Sequence, residues 1–261
     1  MDTIKELTKD ELIEIISIRG FPQLLSLKDY YIIILLYILK DIKGIYFKGG
    51  TALQLTILNY SRLSEDIDFT ITREIDLLIF EIKSEINKSN FFEKIIYENK
   101  NNDFVRLVVF YKNELADGKI YIDLNRKAKL FLLPNKIKLN HYYKNIPEFE
   151  FYCLDIKEMV AEKIEAAIAR NKPRDHYDIY QIIKKNIEID FELVEKKCLS
   201  SGVKFDIIRM FNRANRLHNK WKVDLIPLLR NDVNFIEVMK TIYDYFNIKG
   251  YKLVKKNNKI R

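Results

Sequence analysis

Glycine is scarce in this chain, with 7 in 261 residues, and proline scarcer still at 5. No Pro/Gly/Ser-rich stretch separates one part from another, so no flexible linker is expected and neighbouring regions should pack closely. Only two cysteines occur, Cys153 and Cys198, far apart and without a CxxC pattern. That excludes a disulfide scaffold and fits a reducing cytoplasm. The three histidines, His141, His176 and His218, are scattered and offer no zinc-ligand spacing. The longest apolar run, Tyr30–Leu39, is ten residues, short of the roughly 20 needed to span a bilayer. The acidic start, MDTIKELTKDE, has no signal-like apolar segment. A membrane partner is therefore not expected.

What is present is a globular composition, 48% hydrophobic and 31% charged, with 16 Tyr and 16 Phe. The net charge of +8 is uneven. Residues 200–261 hold 14 Lys/Arg against 5 Asp/Glu, while the preceding 199 residues are nearly balanced at 31 and 32. An acidic partner for the C-terminal end, nucleic acid or an acidic protein, follows from that asymmetry.

Patterning divides the chain near residue 150. Thr8-x-x-Glu11 is a capping box opening a first helix. Ser26 is placed to cap a second, apolar helix around 32–39. Strand-like runs follow at 44–48 (GIYFK), 66–72 (DIDFTIT), 91–98, 103–111, 119–125 (KIYIDLN) and 149–154, with helices from Thr51 and near 74–88. After residue 150 the pattern is helical: one helix over about 155–170, a second from Asp175, and further helices through 190–247 broken at Gly202 and Pro227. The expected organisation is an α/β domain over 1–150 and a helical domain over 151–261.

Given that scarcity, the pair Gly49-Gly50 demands a reason. It lies between a strand and a helix N-terminus, where backbone N–H groups converge and suit an anion. A glycine there lets the backbone approach a phosphate closely. Lys48 and the hydroxyl of Thr51 are adjacent candidates. A purely structural turn is the competing explanation. The next strand alternates strictly, so Asp66, Asp68 and Thr70 share one face while Ile67, Phe69 and Ile71 share the other. Two carboxylates spaced i, i+2 stand roughly 7 Å apart at Cα and can converge on divalent cations. A solvated strand face is the alternative. Together the two features describe a site for phosphoryl or nucleotidyl chemistry, distinct from a Walker A loop or a GxGxxG fingerprint.

Lys48-Gly-Gly-Thr-Ala-Leu53 followed by Arg62-x-Ser-Glu-Asp-Ile-Asp-Phe69 resembles the first motif of the AbiEii/AbiGii toxin family, DNA-polymerase-β-like nucleotidyltransferases. The wider superfamily places Gly-Ser about ten residues before Asp-x-Asp. Here Gly50-Thr51 precedes Asp66-x-Asp68 by fourteen residues, 52–65, as in the AbiEii branch. A second block, Glu162-Lys163-x(6)-Arg170 and then Arg174-Asp-x-x-Asp178-Ile-Tyr180, follows in the family's order. The likeness covers about residues 40–185.

The resemblance implies an α+β fold, a polymerase-β-like mixed sheet with flanking helices followed by a closely packed helical domain. It implies transfer of NMP from an NTP to a hydroxyl, with a tRNA 3′ end as acceptor, an AbiEi-type antitoxin as partner and Mg²⁺ or Mn²⁺ as cofactor. Asp66 and Asp68 would hold metal. Lys48, Gly49, Gly50, Thr51 and Ser64 would hold nucleotide, and Lys163 would contact phosphate. Asp178 would either activate the attacking hydroxyl or join the metal shell.

The residues leave other readings open. Lys163 borders the apolar stripe of Val160, Ile164, Ala167 and Ile168, where a lysine can also merely snorkel. Asp175 reads as a helix N-cap or a further site carboxylate. Arg174 can pair with Asp178 or Asp66, or contact phosphate. Asp123 competes with Asp178 as the third active-site carboxylate. Over 202–221, Arg209, Arg213, Arg216 and Lys220 fall at helical spacing, a solvated face or an RNA-binding stripe, and the tail from Lys249 adds six basic residues and no acid. A small-molecule nucleotidylating enzyme, a non-catalytic nucleotide- or RNA-binding protein, and a metal-dependent nuclease remain as alternatives.

Overall fold

A computed structural model describes residues 4–248. The fold is α+β, a mixed sheet with flanking helices followed by helices alone. Two compact units divide at Met159/Val160. The expected boundary at 150/151 falls at the start of a strand of the sheet, β7 (Glu150–Cys153).

The first unit begins with α1 (Lys9–Arg19), capped as expected: Glu11 N donates to Thr8 Oγ1 at 3.3 Å and Thr8 N to Glu11 Oε2 at 2.8 Å. The apolar helix α2 (Gln23–Leu39) starts earlier than expected. Pro22 precedes its first turn, and Ser26 is fully buried inside the helix with no capping role. Proline presets the φ of a helix start, which outweighs the hydroxyl four residues later.

The sheet comprises β1 (Ile45–Lys48), β2 (Asp66–Ile71), β3 (Lys94–Lys100), β4 (Phe104–Tyr111), β5 (Gly118–Asn125), β6 (Asn135–Lys138) and β7. Their spatial order is β3-β4-β5-β2-β1-β7-β6. The pairs β2–β5 and β1–β7 are parallel and the others antiparallel. Strand β6, NKIK, was not legible in the sequence because three of its four side chains are exposed at the sheet edge. Helices α3 (Gly49–Thr56) and α4 (Ile75–Asn87) complete the unit. Ile67, Phe69 and Ile71 are buried, as the alternation of β2 requires, and Phe69 meets Phe47 and Phe151 at ring distances of 5.8 and 5.6 Å.

One buried polar knot ties α1, α2 and the loop before β7. Arg19 Nη1 donates to Asp29 Oδ2 at 2.7 Å and to the Tyr143 hydroxyl at 2.6 Å, and that hydroxyl donates to Asp29 at 2.8 Å. The guanidinium lies 4.6 Å from the ring centres of both Tyr60 and Tyr142.

The second unit contains most of α5 (Ile156–Arg170), then α6 (Pro173–Lys184), α7 (Phe191–Ser200), α8 (Ala214–Asp224) and α9 (Phe235–Tyr245). The stripe Val160, Ile164, Ala167 and Ile168 is buried as read from the sequence. The chain is not continuously helical between the expected breaks at Gly202 and Pro227. A 3-10 turn over Ile207–Met210 is followed by α8, and Arg213, with φ −122° and ψ 34°, interrupts them. The carbonyls that a continuous helix would use are taken by side chains. Arg209 O accepts from Asn171 Nδ2 at 2.9 Å, and Met210 O faces His176 Nε2 at 2.9 Å. Arg209 therefore leaves the expected stripe, and Arg213, Arg216 and Lys220 remain as exposed residues at the start and along α8. The basic tail lies outside the described residues.

The Arg19–Asp29 pair sets a stability test. Asp29→Ala leaves a buried guanidinium uncompensated and should cost about 3–5 kcal/mol. The double change Arg19→Met, Asp29→Leu should cost markedly less, because it removes both charges. Urea unfolding of the three proteins checks the order.

Candidate active site

The site of the first unit grows from the pairing of β1 with β2. Lys48, the last residue of β1, sits opposite Asp68. The chain then turns at Gly49, whose φ of +77° strains any residue with a Cβ. A Cβ at Gly49 would also run into Asp68, 2.8 Å from its Cγ. The missing side chain is thus what lets the helix start pack against the carboxylate. A Cβ at Gly50 would stand 2.8 Å from Arg62 Nη2 and 3.2 Å from Ser64 Oγ. Gly49 is therefore required by its positive φ and its approach to Asp68, while Gly50 lies close to the ends of the Arg62 and Ser64 side chains.

Helix α3 begins at Gly49 rather than at Thr51. Thr51 is consequently buried in its first turn, and its hydroxyl donates to the main-chain oxygen of Asp66. It ties the start of β2 to the start of α3, where the sequence suggested a hydroxyl facing an anion. Arg62, buried, donates to Leu63 O at 2.8 Å, and Gln54 Oε1 receives the Arg62 amide at 3.2 Å and Ser61 Oγ at 2.9 Å. The segment between α3 and β2 is thereby fixed from inside.

Asp66 and Asp68 are half-buried on one face of β2, as the alternation predicts. The parallel neighbour β5 sets Tyr121 beside Asp66 and Asp123 beside Asp68. Asp123 is already matched. Arg106, opposite it on β4, grips both oxygens: Nε to Oδ1 at 2.7 Å and Nη2 to Oδ2 at 2.6 Å. A carboxylate held bidentately by arginine is a poor candidate for a third metal ligand. Among the described residues no group of three or more His, Cys, Asp or Glu is arranged to hold a metal ion.

A second cluster lies within the second unit. Lys163 is buried, only 6% exposed, and its ammonium stands 3.1 Å from Asp175 Oδ1 and 3.0 Å from Asp178 Oδ2. It is a buried ion-pair centre rather than a residue at the edge of a stripe. Asp175 does not cap α6. Lys172 occupies that position without a side-chain bond, and the Asp175 carboxylate instead receives Arg170 through Nε at 2.8 Å and Nη2 at 2.9 Å. Burial opposes ionisation of Asp175, yet the Lys163 and Arg170 charges outweigh it and hold the carboxyl well below the usual carboxylate range. Asp178 is fully buried, and Arg174 is half-exposed in the first turn of α6. Sequence reasoning assigned no role to Arg62, Arg106 or Arg170. Arg62 and Arg170 stand inside the two motif blocks, but nothing in the spacing of Arg106 and Asp123 shows that they meet.

The sequence model of the family described as AbiEii nucleotidyl transferase toxin, type IV toxin–antitoxin system, matches residues 37–239. No curated protein matches the sequence. The fold is similar to that of MenT4, a nucleotidyltransferase toxin from Mycobacterium tuberculosis H37Rv. There the TM-score is 0.74 at 20% identity, over 92% of this chain and 89% of that one. It is also similar to JHP933 from Helicobacter pylori, with a TM-score of 0.60 at 20% identity over 85% and 90%.

Two outcomes follow from the geometry. Gly49→Ala should displace Asp68 and cost about 1–3 kcal/mol through the forced backbone, seen as a lower unfolding midpoint. In the second unit, the Asp175 carboxyl is lowered on folding. Its contribution is complete above the unfolded value of about 3.9 and is lost as pH falls through the folded value. Asp175→Asn should therefore destabilise by about 3–5 kcal/mol at neutral pH, and the gap from the parent should narrow below about pH 4. Urea midpoints at several pH values measure it.

Proposed function

Because the chain belongs to the AbiEii family of nucleotidyltransferase toxins of type IV toxin–antitoxin systems, we propose that it transfers NMP from an NTP to an RNA hydroxyl, with a tRNA 3′ end as acceptor. In that transfer the acceptor oxygen bonds to the α-phosphorus and the bond from the α-phosphorus to the bridging oxygen breaks. Pyrophosphate leaves with the electron pair, and the hydroxyl proton passes to a base. The family implies an NTP substrate and an antitoxin partner, for which we propose the AbiEi type.

The observation that carries this reading is the packing of Asp68 against Gly49, with Asp66 two residues earlier on the same face. It places two carboxylates at a helix N-terminus whose amides favour phosphate. The donor set fits a hard divalent cation, Mg²⁺ or Mn²⁺. Such an ion is commonly held by one or two carboxylates and completes its shell with substrate phosphates and water, which suits a face that carries Asp66 and Asp68 two residues apart. When bound, that ion would neutralise phosphate charge. The chain's own groups do the positioning. The Gly49 and Gly50 amides and Ser64 hold the triphosphate, Lys48 adds charge beside Asp68, and Thr51 and Gln54 keep the helix start rigid. In-line displacement depends chiefly on such positioning. For Lys163 and Asp178, the proposed roles in phosphate contact and hydroxyl activation rest on the family pattern.

Asp66→Asn and Asp68→Asn should each lower label transfer from radiolabelled NTPs to total RNA by a hundredfold or more, on the order seen when one preorganised charge-stabilising group is removed. Chelation by EDTA should do the same to the parent protein. Undiminished labelling of RNA in either variant would contradict the carboxylate assignment. Label recovered only in small molecules would replace RNA by a small-molecule acceptor.

A further inference from the structure

The face that carries Asp66 and Asp68 extends beyond them towards the β3 edge, and its composition changes in rows across the strands. Register places Tyr121 beside Asp66, Val108 beside Tyr121, and Ile96 beside Val108. The next row outward is Lys119, Phe110 and Lys94. Paired residues on neighbouring strands share a face and stand about 4.8 Å apart, and rows two residues apart lie roughly 7 Å away. The carboxylate pair and these two rows therefore share one face of the sheet within the first unit, on which Val108, 3% exposed, is buried between Tyr121 and Ile96. Ile96 is 44% exposed, Lys94 and Lys119 are exposed, and Tyr121 and Phe110 are half-exposed.

This surface alternates aromatic rings with cations. The Tyr121 ring centre lies 5.1 Å from Lys119 Nζ, 5.2 Å from Arg106 Cζ and 5.9 Å from Lys28 Nζ. Lys94 Nζ stands 4.6 Å from the Phe110 ring centre. Some of this charge is balanced: Lys28 lies 3.7 Å from Glu65, and Arg106 is held by Asp123 with Glu98 at 3.8 Å. Lys94 and Lys119, among the described residues, form no ion pair with an acid within 4.0 Å. Half-exposed rings on a sheet, interleaved with exposed lysines, are what a single strand needs, since bases stack on the rings while ammonium groups follow the phosphates.

We propose that this face is the platform for the acceptor RNA. A single-stranded end lies across Lys94, Phe110, Lys119 and Tyr121, and its terminal hydroxyl is delivered to the edge marked by Asp66. The proposal rests on the reading of RNA as acceptor. It moves the RNA contact away from the basic C-terminal stripe, which the break at Arg213 divides, to the sheet face shared with the carboxylates. Charge complementarity and that shared face favour RNA over an acidic protein as the occupant.

The test uses the full chain and a short single-stranded oligoribonucleotide of mixed sequence, with a duplex of the same sequence as comparison. Affinity is measured at several salt concentrations for the parent, for Tyr121→Ala, for Tyr121→Phe and for the double change Lys94→Gln, Lys119→Gln. Thermal melts confirm folding. Tyr121→Ala should weaken single-strand binding by roughly tenfold, and Tyr121→Phe should restore it. The lysine double change should reduce the log–log salt slope by about 1.4, two contacts at about 0.7 each. Single-strand binding by the parent that none of these changes alters would overturn the platform while leaving RNA as acceptor. A parent protein that binds neither RNA would overturn the acceptor reading and the platform with it. Equal loss of duplex and single-strand affinity in Tyr121→Ala would also count against it, because stacking on an open ring requires an unpaired base.

Discussion

Asp68 cannot sit where it does unless residue 49 lacks a side chain. The Asp68 carboxylate fills the space that a Cβ on Gly49 would need, and the positive φ of Gly49 starts α3 immediately after β1. Around that contact the local structure is mutually dependent. β1 pairs with β2 to set Lys48 opposite Asp68. Thr51 fastens the start of β2 to α3 through the Asp66 carbonyl, and Arg62 and Ser64 close against Gly50. Two acidic groups on one strand face repel each other. The strand that carries them is anchored on its apolar side, where Ile67, Phe69 and Ile71 are almost fully buried.

Charge is handled differently in the two units. On the sheet, Asp123 is gripped by Arg106 through both of its oxygens, and the same guanidinium stands beside Tyr121. In the helical unit, Lys163, Arg170, Asp175 and Asp178 form a buried alternation of charge with no exposed member except Arg170, whose side chain is 52% exposed. Removing one partner from such a cluster strands a charge in a poorly solvating interior. Mutational loss of activity at Lys163 or Asp175 therefore carries a large stability component, which must be measured beside any kinetic effect.

Much of this was legible in the residues. Strict alternation in DIDFTIT announced the strand and the shared face of Asp66 and Asp68. Thr8-x-x-Glu11 announced its capping box, and the two motif blocks identified the family that residues 37–239 match. These signals are local, since period-two burial, reciprocal capping and short fixed spacings involve residues near in sequence. Expectations failed where a local rule met a competing neighbour or a distant partner. Ser26 lost the cap to Pro22, and Asp175 exchanged a cap for Lys163 and Arg170. The helix between Gly202 and Pro227 broke where Asn171 and His176 took the carbonyls of Arg209 and Met210.

The sequence by itself determined the family, the helical and strand periodicities, the two-carboxylate face and the glycine pair that adjoins it. Each of these is encoded by residue type at short spacing. Tertiary structure alone decided what lies beside each carboxylate. Arg106 and Asp123 are seventeen residues apart, yet the β4–β5 register sets them opposite each other. The parallel β2–β5 pairing brings Tyr121 beside Asp66 across more than fifty residues of chain. Strand pairing is a long-range choice, governed by which faces the folded core can bury, and no window of sequence contains both partners.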